Sequence, residues 1–217
     1  MPSQDLNSHA YDTLLHRIVS TEFKPGEVLN ESSLVDDLGM SRTTIHSAMI
    51  RLQQEHLIEF LPKKGLRVTS ITPDTIREIH DIRLLIEPYA ILNARRPMSK
   101  ERLLNYMNIF NNSYGEEYRS RLYSTDTDFH MDIVLQSDNS LLCDYYRSMQ
   151  PQFERISNLC GEALRERLFI SNKEHLDIIL ALLQDDTEKA VQALNTHLKL
   201  SREAAYQLII INAYSSS

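Results

Sequence analysis

Only five glycines and seven prolines punctuate 217 residues, which argues against a loop-rich β architecture. From residue 73 to about 211 the apolar residues recur almost wholly at helical spacing. Ahead of that stretch, three short helical patterns lead into two β-type runs that flank a basic turn. Together these observations predict a mainly α chain. Residues 1–72 are expected to form an N-terminal winged helix-turn-helix, and residues 73–217 an all-α helical bundle.

In the front segment, residues 10–22 predict a first helix with Leu14, Leu15, Ile18 and Val19 on one face, broken by Pro25-Gly26. Residues 31–38 predict a second, capped by Asn30. Gly39 suits the left-handed position that ends it. Ser41 caps a third helix, in which Ile45, Ala48, Met49 and Leu52 fall at i, i+3, i+4 and i+7 and form a buried stripe. The opposite face carries Arg42, Thr43, Thr44, His46 and Ser47, mostly short, hydrogen-bonding and free of acid. HLIEF and LRVTSI then flank Pro62-Lys63-Lys64-Gly65 and predict a hairpin.

Thr72 as cap and Pro73 at the first helical position open the second segment. Helices are expected over 73–95, 99–112, 116–136, 139–165, 172–184 and 187–211. Breaks fall near Pro97, Gly115, Asn139, Ser171 and Asp185-Asp186. Ser171 with Glu174 fits a capping box. No internal repeat or low-complexity segment is visible.

The formal charge of −7 is the wrong sign for a general nucleic-acid coat. Residues 1–75 hold seven Lys/Arg against ten Asp/Glu, whereas residues 40–70 hold five against two. Any positive field is therefore local to the third helix and the hairpin. Cys143 and Cys160 form no CxxC and lie in apolar helical surroundings, which predicts buried thiols in a reducing compartment. The polar start MPSQDLNSHAYD lacks a signal-peptide core, and no run of about 18 apolar residues spans a membrane. A cytoplasmic protein is expected.

In a winged helix-turn-helix the second helix of the pair enters the major groove with its N-terminal residues leading. Arg42 can fork onto guanine or phosphate, and Thr43 and Thr44 can reach phosphate oxygens. Lys63, Lys64 and Arg67 lie at or beside the hairpin tip, where a wing meets the duplex backbone. The alternative is a solvated helix face with an ordinary lysine-rich turn. The preceding short helix, the turn glycine and the hairpin together favour DNA.

The order KPGEVLNESSLVDDLGMSRTTIHSAMIRLQQEHLIEFLPKKGLRV resembles the N-terminal module of GntR-type bacterial transcriptional regulators. Ser32 and His46 stand where relatives carry arginines that often contact DNA. Gly65 matches the wing glycine, and His56 replaces a frequent glycine. The resemblance implies a DNA-binding set of Ser32, Arg42, Thr43, Thr44, His46, Lys63, Lys64 and Gly65, acting on a double-stranded operator.

The second segment carries another pattern. Asp126 and His130 at i, i+4 share a helical face. His175 starts a later pattern and His197 lies within the last. Their spacing allows two antiparallel neighbours joined at Asp185-Asp186, so that four ligands from three helices converge inside a bundle. Imidazoles with one carboxylate suit zinc, nickel, manganese or iron as divalent ions and leave positions open for water or a carboxylate. Spacing alone leaves the alternative open, since eight histidines produce such sets by chance.

IREIHDIRLLIEPYA, DTDFHMDIVLQSDNSLL and EHLDIILALLQDDTEKAVQALNTHL resemble the FadR C-terminal (FCD) ligand-binding domain of the same regulators, in its shorter, six-helix VanR-like branch. This resemblance implies that Asp126, His130, His175 and His197 hold a divalent metal ion, zinc first. It also makes Arg83 a candidate for a small organic acid effector, with an ion pair to Glu87 as the equal alternative. Asn139 is a candidate at the cavity edge, with helix capping the stronger alternative. Tyr145, Tyr146, Met149 and Phe153 are expected as core or dimer contacts.

The function expected is that of a metabolite-responsive transcriptional regulator, a homodimer on a palindromic operator and, as in most relatives, a repressor. A metal-dependent enzyme is the first alternative. HExxH, a further carboxylate placed as general base and a nucleophile motif are all missing from the sequence, so no enzyme is expected. The other alternative is a direct sensor of divalent metal.

Overall fold

The computed structural model describes residues 3–62, 65–112, 119–163 and 165–215. Backbone contacts divide the chain into two compact units, Met1–Ile71 and Thr72–Ser217.

The first unit runs α1 (Ser3–Val19), β1 (Val28–Leu29), α2 (Glu31–Leu38), α3 (Arg42–Gln54), β2 (Ile58–Leu61) and β3 (Gly65–Val68). α1 begins well before the expected residue 10, and its buried stripe gains Ala10 and Tyr11 beside Leu14 and Ile18. Tyr11 ties it to the end of α3 by donating to Glu55 Oε2 at 2.6 Å beneath the Arg51 guanidinium. The local chemistry of the next two helices is as expected. The Asn30 side chain accepts from the Ser32 amide at 2.8 Å, and Gly39 adopts φ 63°. The Ser41 hydroxyl accepts from the Thr44 amide at 3.2 Å. Ile45, Ala48, Met49 and Leu52 are buried against Leu14, Ile18, Leu34, Leu57, Ile58, Leu66 and Val68. Full burial of such a side chain contributes about 1.5–3 kcal/mol.

α3 closes with His56 in the left-handed region at φ 58°. Its amide donates to Gln53 O at 3.0 Å and the Leu57 amide to Leu52 O at 2.9 Å, the two bonds of a Schellman motif. The strands form an antiparallel sheet in the order β1-β3-β2, with Leu29 opposite Leu66 and Leu61 opposite Gly65. The hairpin is thus present, and β1 is an addition too short for alternation to announce. It explains Gly65, which sits at φ 94° where a Cβ would lie 2.6 Å from Leu29 O. Lys63 and Lys64 lie outside the described residues.

The second unit comprises α4 (Pro73–Leu92), α5 (Lys100–Asn112), α6 (Arg119–Leu135), α7 (Ser140–Ala163), α8 (Arg165–Leu183) and α9 (Thr187–Ser215). Thr72 and Thr75 form a reciprocal capping box that spans Pro73 at the first helical position. The expected break at Gly115 lies outside the described residues. One boundary differs clearly. The helix expected from residue 172 begins at Arg165, so Ser171 is mid-helix and caps nothing. Glu174 instead receives both terminal nitrogens of Arg167, at 3.0 and 2.8 Å. An i, i+7 pair shares a face only because the helix is already running at Arg167.

α9 packs on α4 and α8, α5 on α8, and α6 on α7 and α4. Phe129, Ile133, Ile178, Ile179, Leu194 and Leu198 form the centre of the core. Cys143 and Cys160 are buried free thiols. Among the described residues no helix is long and apolar enough to cross a membrane.

Candidate metal centre and DNA-reading face

α6, α8 and α9 each send side chains to one point in the bundle. His130 Nε2 lies 3.2 Å from His197 Nε2 and 3.3 Å from His175 Nε2. Asp126 Oδ1 is 3.1 Å from His175 Nε2 and 3.9 Å from His130 Nε2. One ligand atom from each of the four residues lies within 4.8 Å of all the others. The three histidines are buried and Asp126 is half-buried.

Two of the rings are set by carboxylates. His130 Nδ1 donates to Glu87 Oε2 at 2.6 Å, and His197 Nδ1 to Glu174 Oε2 at 2.8 Å. With the proton on Nδ1, each Nε2 presents a lone pair to the centre. His175 differs. Its Nδ1 is buried with no hydrogen-bond partner, and its ring stacks on Phe110 at 4.6 Å between centroids.

Burial holds the His175 and His197 imidazoles below their ordinary pKa, that of His197 well below. Burial thus favours, in both, the neutral form that ligates metal. Burial acts to raise the Asp126 carboxyl, but its hydrogen bond to His175 and the neighbouring His130 and Arg83 hold it well below the usual range. With their protons held on Nδ1, His130 Nε2 and His197 Nε2 face each other as lone pairs at 3.2 Å and repel unless a cation lies between them. Three imidazole nitrogens and a carboxylate are the donor set of a borderline divalent ion, so the residues present fit such an ion.

Glu87 is the hub behind this point. It is fully buried and also accepts from Arg83 Nε at 2.7 Å and Tyr146 Oη at 2.6 Å. Burial acts to raise its carboxyl, while Arg83 and then His130 draw it down to about 2. Arg83 thus forms the ion pair that was the alternative to its effector role, with one terminal nitrogen, Nη2, buried and unbonded. Asn139 is exposed and caps α7, accepting from the Leu142 amide at 3.2 Å.

A pocket with about 570 Å³ of atom-free space, including its open mouth, adjoins the centre. Asp126, His197, Arg167, Asn172, Ser157 and Cys160 are among the residues that line it, whereas Arg83 and Asn139 do not. Arg167 escaped the sequence reading because it lies ahead of the helix expected from residue 172. Glu174 was read as part of a cap and not as the partner of His197.

In the first unit Ser32, Arg42, Thr43 and His46 are exposed. Thr44 is half-buried, with its hydroxyl 2.8 Å from Ser41 Oγ. The face of α3 is acid-free in sequence, yet α2 supplies an acid to it. Arg42 Nε donates to Glu31 Oε1 at 3.2 Å, and His46 Nδ1 lies 3.9 Å from Glu31 Oε2. Arg67 is likewise paired, with Glu59 on the neighbouring strand at 2.8 Å.

Residues 6–68 match the family described as bacterial regulatory proteins, gntR family, and residues 78–200 match the FCD domain. The chain is 23% identical over 210 residues to the HTH-type transcriptional repressor RspR of Escherichia coli (strain K12), covering 95% of this chain and 92% of that one. It is 28% identical over 193 residues to the gluconate operon transcriptional repressor of Bacillus subtilis (strain 168), covering 86% and 74%. A GntR-type chain from Rhodococcus sp. RHA1 has a similar fold, with a TM-score of 0.80 and 21% identity over 94% of this chain and 97% of that one.

Proposed function

The chain belongs to the GntR family of bacterial regulatory proteins and carries an FCD domain, and on that premise we propose that it is a metabolite-responsive repressor. Its domains and relatives are those of transcriptional regulators and not of enzymes. In our reading residues 1–72 grip a palindromic operator and residues 73–217 dimerise and bind the effector, in the cytoplasm. The effector is a small organic acid seated beside a divalent ion, zinc first, held by Asp126, His130, His175 and His197.

The convergence of those four side chains beside a pocket carries this reading. A bound divalent ion would supply an electrophilic centre for a carboxylate, and Arg167 and Asn172 in the pocket wall offer further donors. Two exposed apolar rows support a homodimer. Leu85, Tyr89 and Leu92 recur at helical spacing on α4, and Leu141 and Tyr145 on α7, with Leu85 and Leu141 73% and 81% exposed. Coupling requires that the effector bind one arrangement of the dimer better than the other.

The test is elemental analysis of the purified chain, followed by operator titrations with metal alone and with metal plus small carboxylates. Metal content lost in His175→Ala, and operator release that needs both metal and acid, are the expected results. Release by metal alone would make the protein a metal sensor. Full metal occupancy in His175→Ala would remove the ligand set.

A further inference from the structure

We propose that Glu31 sets the specificity of the DNA-reading face, as a built-in counter-charge that holds Arg42 for a base edge and opposes its capture by phosphate. The inference rests on the DNA-reading role of α3. Glu31 is the first residue of α2, and its carboxylate spans toward two donors of the face, Arg42 Nε at 3.2 Å and His46 Nδ1 at 3.9 Å. Its side chain is 23% exposed, against 75% for Arg42 and 52% for His46. The acid is therefore the recessed member and the two donors stand outside it. Among the described residues Nε is the Arg42 nitrogen that is engaged, which leaves the terminal nitrogens of this 75%-exposed side chain as a fork open to solvent. Ser32, the next residue, is exposed and adds no positive charge to offset Glu31.

Two consequences follow from this placement. On a cognate duplex the Arg42 fork can read guanine in the groove while Nε keeps its carboxylate partner, so the side chain enters already oriented. On non-cognate duplex the protein is held by phosphates alone. Arg42 must then either leave Glu31 or bring that carboxylate toward the backbone, and like charges a few ångströms apart repel even in water. Glu31 thus weakens non-cognate binding more than cognate binding and widens the ratio between them.

The experiment uses the full chain and a duplex enriched by the wild-type protein from a random library, with a scrambled duplex as reference. Glu31→Gln keeps an acceptor for Arg42 Nε and removes the charge. It should bind the scrambled duplex about three- to tenfold tighter, with little gain on the enriched one, so that the ratio falls. Glu31→Ala also removes the acceptor and should lose affinity for the enriched duplex. Both substitutions are on the surface, and thermal melting checks that the variants are folded. In an Arg42→Ala background the change in ratio should disappear. If wild type enriches a sequence and Arg42→Ala abolishes its preference, the reading face stands. An unchanged ratio in Glu31→Gln would then overturn the role of Glu31 alone. Failure of wild type to enrich any sequence overturns both.

Discussion

Replacing Glu87 with glutamine removes one charge from a fully buried carboxylate that accepts from Arg83, Tyr146 and His130 at once. Glutamine offers one oxygen and one NH2 to three donors. If the oxygen stays with Arg83 and Tyr146, the NH2 faces the His130 Nδ1–H. His130 must then move its proton to Nε2, where the metal-facing lone pair has to be. Loss of such a carboxylate–histidine support lowers metal affinity about 10–100-fold, or about 1.4–2.8 kcal/mol. The same change leaves Arg83, its Nη2 already unbonded, without its direct ion-pair partner and with only the more distant charge of Asp126, and breaking a buried pair costs about 3–5 kcal/mol of stability. Zinc competition against a chromophoric chelator reads the first effect, and melting in EDTA the second. Tyr146→Phe, which removes a neutral donor and leaves the charge, should lose stability but hold zinc as wild type does. A folded Glu87→Gln protein with undiminished zinc affinity would refute the supporting role of Glu87.

Burial and then the Arg83 charge lower His80 from 6.5 to about 4. The unfolded chain therefore takes up this proton first, and His80 withdraws stability as pH falls from 6.5 to 4, by about 3 kcal/mol at the limit. Urea melts in chelator should show a smaller acid loss for His80→Phe; an equal loss in both proteins counts against this. Gly65→Ala puts a Cβ 2.6 Å from Leu29 O at φ 94° and should cost about 2 kcal/mol or more, read as a lower melting point of the first unit. His56→Gly relieves a left-handed φ of 58° and should stabilise by about 0.5–1 kcal/mol in urea melts, and an unchanged or lower midpoint would refute this. Lys63→Ala with Lys64→Ala should reduce the salt slope of operator binding by about two, and an unchanged slope would take the wing off the phosphates.

Chain-local chemistry was the legible part of this fold. Asn30, Ser41 and Thr72 mark helix starts because their side chains accept from amides two or three residues on, and Gly39 marks a helix end because, without a Cβ, it takes the left-handed conformation. Asp126 and His130 are a local pair too, but nothing local says that His175 and His197 face them; family resemblance suggested that grouping. Nor does any spacing rule place Glu87 on His130 or Glu31 on Arg42, since those contacts join residues 43 and 11 apart. Ser171 and Glu174 misled because a capping motif and a mid-helix ion-pair face use the same residue types. β1, with two residues, is shorter than the period that would reveal it.

Cys160 lines the pocket beside Arg167, and burial pushes its thiol up to about 12 despite that cation. At neutral pH only on the order of one sulfur in 10⁵ is then the anion that attacks peroxides and electrophiles. Oxidants and alkylating agents meet an inert wall at that sulfur, which serves the pocket as packing and not as a nucleophile.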